Sequence, residues 1–218
     1  MYTIDGDGMA QILKEEIKNK IVSSAISEFY GYGFNDASLR RIAASSNITV
    51  GNLYRYFKNK DDLIEYVTSS SYKQLSALIT DAARYKESLF VKGNVDIKEI
   101  EHLIILFCRQ LINMAEEGYE ELMILLVHAP IKEQLYDWFV QLIYDLIKNF
   151  VNRDLSENML IVLSKMFARS MSQGVIAFFE CYRDYDNVEE ALFILCKSFV
   201  ELFDSYVIEE KNYELYFI

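Results

Sequence analysis

The sequence predicts an all-α protein in which a small N-terminal module of three helices is joined by one continuous helix to a larger helical body. Three observations carry this. One proline, Pro130, and eight glycines occur in 218 residues, punctuation too sparse for a sheet with many turns. No Asn-Gly or Asp-Gly pair separates two alternating apolar runs, so no hairpin is signalled. Asp5-Gly6 and Asp7-Gly8 fall within the first ten residues and read as a loose terminus. Apolar residues recur instead at three- and four-residue intervals.

The elements follow in order. Ile17, Ile21, Val22, Ala25, Ile26 and Phe29 place one face of a helix over 12–30, and "YGYGF" (30–34) stops it, with Gly31 and Gly33 suited to C-cap geometry. Ser38 reads as the N-cap of a short helix to Ala44, with Leu39, Ile42 and Ala43 inward. "SSN" (45–47) breaks it, and Thr49 opens another short helix to Tyr56. Asn59 caps a helix to about Tyr85, with Asp61 and Asp62 in the first turn, where the helix dipole favours acids. "KESLFVKGNVD" (86–96) reads as a connector, and Ile97–Ala115 as a helix ended by Glu116-Glu117-Gly118. Tyr119–His128 is a short helix stopped at Ala129-Pro130. Ile131–Asn152 carries the clearest stripe: Leu135, Trp138, Phe139, Leu142, Ile143, Leu146, Ile147 and Phe150. Met159–Phe179 and Val188–Val207 are apolar nearly all round, which demands cover on more than one side. That points to a partner subunit and an isologous four-helix interface built from helices near 156–181 and 187–208.

The chain is acidic, with a formal net charge of −11, and 52% of its residues are hydrophobic. The charge is uneven: residues 12–60 hold eight Lys/Arg against four Asp/Glu, and residues 71–218 hold 14 against 24. A basic module on an acidic body is the expectation, with domains at 1–60 and 61–218. Cys108, Cys181 and Cys196 are widely spaced and odd in number, which fits free thiols in a reducing compartment. The acidic start MYTIDGDGMA is no signal peptide, and charges interrupt every apolar run short of a membrane span. A cytoplasmic protein without a membrane partner is expected.

Three short helices, the last two separated by a tight turn, form the helix-turn-helix pattern, in which the second helix of the pair enters the DNA major groove. The run from Ser38 to Leu63, "SLRRIAASSNITVGNLYRYFKNKDDL", with "AISEFYGYGF" upstream, resembles the DNA-binding signature of TetR-type transcriptional repressors. The resemblance covers residues 12–67, and "NLYRYFKNKDDL" is its most specific part. One departure is Asn47, where that family usually has glycine; asparagine tolerates left-handed backbone better than most residues. The resemblance implies an all-helical homodimer, a divergent C-terminal ligand-binding and dimerisation domain, and release from a palindromic operator by a small-molecule effector. No cofactor is expected.

Roles then fall to individual residues. Lys60, Tyr54, Tyr56 and Ser38 are expected on phosphates, with the helix start at Asn59–Asp61 adding backbone donors. Arg40, Thr49, Val50 and Asn52 are expected on base edges, and Gly51 permits close approach. Arg41 and Lys58 read as solvated charges. For the effector, expected to be apolar or aromatic, the candidates are His102, Cys108, Arg109, Trp138, Tyr144, Arg169 and Gln173. They lie on or beside the helices at 97–115, 131–152 and 156–180, which with the long helix from Asn59 should enclose the pocket. No catalytic or metal constellation is present: "EIEH" (99–102) is a lone Glu-x-x-His, and no HExxH, GxSxG or phosphate-cradling loop occurs. The competing class is a helical ligand-binding or scaffold protein that no longer binds DNA, and the basic surface of 38–60 separates the two.

Overall fold

A computed structural model describes residues 6–91, 95–128, 131–150, 155–183 and 188–208. Among the described residues there are eight helices and no strand: α1 (Gly6–Asp36), α2 (Leu39–Ser45), α3 (Val50–Leu53), α4 (Lys60–Val91), α5 (Ile97–His128), α6 (Ile131–Phe150), α7 (Glu157–Cys181) and α8 (Val188–Ile208). The chain forms two compact units, Met1–Lys73 with Gly118–Ala129, and Gln74–Glu117 with Pro130–Ile218. These bounds differ from a division at residue 60. The first two turns of α4 bury Leu63 and Val67 in the first unit's core, and Ile124 of α5 joins them.

That core is built by α1 through Ile21, Ala25 and Phe29, by α2 through Ile42 and Ala43, and by Leu53 and Phe57. Burying each large side chain is worth about 1.5–3 kcal/mol, enough for so small a unit to hold short helices that are marginal alone. α1 starts earlier than expected, at Gly6, and continues to Asp36 across a kink at Gly33, whose φ of 72° and ψ of 169° suit glycine. Gly31 stays helical, so Gly33 alone makes the break.

In the second unit the α6 stripe is buried as its spacing requires: Leu135, Trp138, Phe139, Leu142, Ile143, Leu146 and Ile147 are all enclosed. α6 packs chiefly on α7 and also on α8. α7 begins at a Ser156 cap whose hydroxyl accepts the Met159 N–H at 3.4 Å. The expected break at Glu116-Glu117-Gly118 is a kink at Gly118 inside α5. The expected connector at 86–96 is wrong in its first half. α4 runs on to Val91, because Leu89 is buried and the buried Lys86 ammonium pairs with Asp145 of α6 at 2.5 Å. Ala129-Pro130 and Asn152 lie outside the described residues.

Candidate nucleic-acid interface

The helix pair is assembled by its turn. α2 ends as the Ser46 hydroxyl donates to Ile42 O at 2.7 Å, and Asn47 then takes the left-handed conformation, φ 56°. This is the conformation for which glycine is the usual choice, and asparagine fills it here. The Ile48 N–H returns to Ala43 O at 3.0 Å, and Thr49 Oγ1 accepts the Asn52 N–H at 3.2 Å, capping α3. Leu53, fully buried, anchors α3 in the core. The regular helix is shorter than expected, ending at Leu53. Residues 54–56 continue as turns, with Tyr56 N–H on Leu53 O at 2.9 Å.

The outer surface of this pair carries Arg40, Thr49, Gly51, Tyr54 and Arg55, all exposed, with Ser38 and Asn52 half-buried. A side chain built at Gly51 would meet nothing closer than Thr49 Oγ1 at 4.0 Å, so the protein itself does not require glycine there. Val50 and Tyr56 are half-buried and pack against the core cluster, which leaves them less surface for DNA than the base and phosphate roles expected of them.

Behind that surface lies a polar network. The Glu28 carboxylate is buried on α1 and accepts the Ser38 N–H at 2.8 Å and the Arg41 Nε–H at 2.7 Å. Arg41 also donates to Asp36 O at 2.8 Å and lies over the Tyr32 ring, 4.3 Å from its centroid. Burial pushes the Glu28 pKa up, but the Arg41 hydrogen bond, the Ser38 amide and the Arg41 charge outweigh it, so the carboxyl titrates below its ordinary range. The bond to Glu28, against a smaller cost of burial, holds the Arg41 proton more firmly than usual. Arg41 is therefore not a merely solvated charge, whereas the Lys58 side chain is exposed. Ser38 occupies the N-cap of α2 but its hydroxyl makes no capping bond; its amide serves Glu28 instead.

Lys60 is the clearest correction. Its ammonium donates to Phe34 O at 2.5 Å, Asn35 O at 3.2 Å and Ala37 O at 3.3 Å, and sits 4.5 Å from the Phe34 ring centroid. The end of α1 leaves carbonyls without helical partners, and a cation is favoured there. Three N–H groups directed at three carbonyls leave no proton for a phosphate. The α4 start is closed in the same way: Asn59 Oδ1 accepts the Asp62 N–H at 2.7 Å, and Asp62 Oδ2 accepts the Lys58 N–H at 2.8 Å. Sequence reasoning missed Glu28, although a carboxylate in register with Ile21, Ala25 and Phe29 on the buried face was a usable signal. It also passed over Arg55, exposed just after α3.

The effector candidates do not converge. His102, Arg109, Arg169 and Gln173 are exposed. Tyr144 donates to Glu157 Oε1 at 2.9 Å, and that bond, with burial and the Glu157 charge, raises its pKa. Trp138 is buried and stacks on Phe107 with 4.4 Å between centroids. Cys108 is buried with its Sγ 3.2 Å from that of Cys196. A cavity of about 530 Å³ in the second unit is lined by none of them, but by Gln74, Leu78 and Asp81 of α4 and Gln110, Asn113, Met114 and Glu117 of α5. No residue of α6 or α7 lines this cavity.

No described helix is long and apolar enough to cross a membrane, and no group of three or more metal-ligating side chains occurs among the described residues.

A core-anchored helix pair with a tight left-handed turn and an exposed second helix defines a DNA-binding regulator of the helix-turn-helix class. Residues 21–67 match the sequence model of the bacterial regulatory proteins of the tetR family. Over 186 residues the chain is 27% identical to an HTH-type transcriptional regulator of Staphylococcus aureus, SAB2452, covering 79% of this chain and 92% of that one. Over 71 residues it is 37% identical to the "Probable HTH-type transcriptional regulator YttP" of Bacillus subtilis, covering 33% of this chain and 34% of that relative. Its fold resembles that of NalD, the secondary repressor of the MexAB-OprM multidrug efflux pump of Pseudomonas aeruginosa, with a TM-score of 0.50 at 16% identity over 91% of this chain and 100% of that chain. Residues 21–67 thus carry a tetR-type helix-turn-helix, and over most of its length the chain is similar to HTH-type transcriptional regulators, which supports a DNA-binding regulator.

Proposed function

We propose that the chain acts as a homodimeric repressor that leaves a palindromic operator when a small molecule binds its second unit. The observation that carries the DNA side is the exposed row of Arg40, Thr49, Gly51, Tyr54 and Arg55 around α3 on an otherwise acidic chain. Arg40 and Asn52 suit guanine and adenine edges, and the Thr49 methyl suits that of thymine. Ser38, Tyr54 and Arg55 are placed for phosphates.

The dimer reading rests on apolar residues left uncovered on the last two helices: Val162 is 52% exposed, Met166 62% and Ile194 58%. A second copy would cover them with the same surface, as a two-fold interface requires. An apolar or aromatic effector would insert beside the packed Phe107, Trp138 and Phe139 rings rather than in the largely polar cavity of α4 and α5. Trp138 Nε1 is buried there without an acceptor among the described residues. Release requires that the effector bind better to the state whose two α3 helices are misplaced for successive major-groove turns.

The test is selection of bound DNA from a random pool with the full-length protein. A two-fold symmetric site should be enriched; no enriched palindrome would end the repressor reading. Within that site, Asn52→Ala should relax preference at one position per half-site by about 1–3 kcal/mol. Identical selection profiles for the two proteins would remove Asn52 from base readout.

A further inference from the structure

Two of the three cysteines meet in the second unit. Cys108 of α5 and Cys196 of α8, separated by 88 positions in the chain, place their sulfurs 3.2 Å apart. Both are buried and both are free thiols, whereas Cys181 is exposed and alone. The next residue along α5, Arg109, lies 5.9 Å from the ring centroid of Phe193 on α8, so the same two helices meet at two neighbouring points. A disulfide needs the sulfurs about 1 Å closer than they stand, a movement within reach of side-chain rotation.

We propose that Cys108 and Cys196 form a redox-active dithiol that closes to an intrachain disulfide when the protein meets hydrogen peroxide. The thiolate of one cysteine attacks a peroxide oxygen, breaking the O–O bond and giving a sulfenic acid; the departing hydroxide takes up a proton and leaves as water. The second sulfur, as thiolate, then attacks the sulfenic sulfur. The S–S bond forms, the S–O bond breaks, and a second water leaves with the proton released by that thiol. Two thiols supply the two electrons that reduce one peroxide to two waters. The pair is asymmetric. Its shared hydrogen bond, then burial and the charge of its partner, hold the proton on Cys108. The same bond lowers the pKa of Cys196 against the opposing effect of burial, so that either sulfur can attack once the shared proton is lost.

The experiment treats full-length protein and Cys181→Ser with a several-fold excess of hydrogen peroxide, quenches, alkylates under denaturing conditions without reductant, and maps the digest by mass spectrometry. Both proteins should yield the peptide containing residue 108 joined to that containing residue 196, with the species lost on reduction. Cys108→Ser and Cys196→Ser should each lack it and accumulate no equivalent link. The proposal is overturned if residues 108 and 196 are both still alkylated as free thiols after Cys181 has oxidised, or if their disulfides join different copies of the chain. Wild type and Cys181→Ser carry the decisive measurement, so it does not depend on how well the other two variants fold.

Discussion

The two units of this chain differ in which groups stand out: a polar network behind the helix pair in the first, uncovered apolar residues on the last two helices in the second. In the first, Arg40 and Arg55 stay exposed while the charges beside them are committed inward: Glu28 on Arg41 and the Ser38 amide, Lys60 on three carbonyls, Asp62 on the Lys58 amide. In the second, apolar groups are left outward, with Val162, Met166 and Ile194 each more than half exposed. A surface that must hold a fixed shape for a ligand spends its charges on geometry. A surface that awaits another protein keeps apolar area that its own fold does not consume.

This contrast can be broken most sharply on the second unit. Val162→Glu with Met166→Glu places charges on the uncovered α7 face, where the protomer's own packing is little disturbed. Light scattering should show monomers in place of dimers, and operator affinity should fall by about 100-fold or more as the paired contacts are lost. A variant that stays dimeric would show that the apolar excess serves something else.

Next in size is the Glu28 network. Glu28→Gln should lower unfolding free energy by about 1–3 kcal/mol at neutral pH, because Arg41 loses its anion and the buried hydrogen bonds weaken. The sign with pH follows from the depressed carboxyl pKa. Its stabilisation is complete above the ordinary value of 4.5 and is lost as pH falls through the folded-state value. Urea titrations of the two proteins should therefore converge in acid, and a constant gap would mean the charge is not the cause.

Lys60→Met should also cost about 1–3 kcal/mol, through three carbonyls left without their cation. The dependence of DNA affinity on salt should be unchanged, whereas a slope reduced by about 1 would return Lys60 to the phosphates. The smallest effect is expected at the turn. Asn47→Ala should destabilise by about 1 kcal/mol, since alanine lacks the local hydrogen bonding that eases the left-handed region, while Asn47→Gly should be tolerated. Equal thermal midpoints for the two variants would contradict this.

What the chain announced in advance was local. The α6 stripe, the break at Gly118 and the tolerance of Asn47 for a left-handed turn all follow from neighbours within a few positions. The departures share a different origin. The Lys60 ammonium is held by carbonyls 23 to 26 positions upstream, and α4 runs past its expected end where Lys86 meets Asp145, 59 positions away. No periodicity encodes such partners. The C-terminal end of α3 was misjudged because Tyr54 and Tyr56 extend the apolar spacing of a helix while their backbone has already become turn. The effector candidates were chosen by chemical type alone, and polar type says little about which way a side chain faces on a helix with several occupied sides.

The kink at Gly118 has a consequence for dissecting the gene. Residues 118–129 belong with the N-terminal unit although 44 residues of the other unit, 74–117, precede them in the chain, and Ile124 is part of that unit's sealed interior. A fragment cut after residue 73 would carry every group placed to face DNA and still lack a wall of its own core. The DNA-reading unit of this regulator is thus one body in space but two separate stretches of sequence, and it cannot be excised with a single cut.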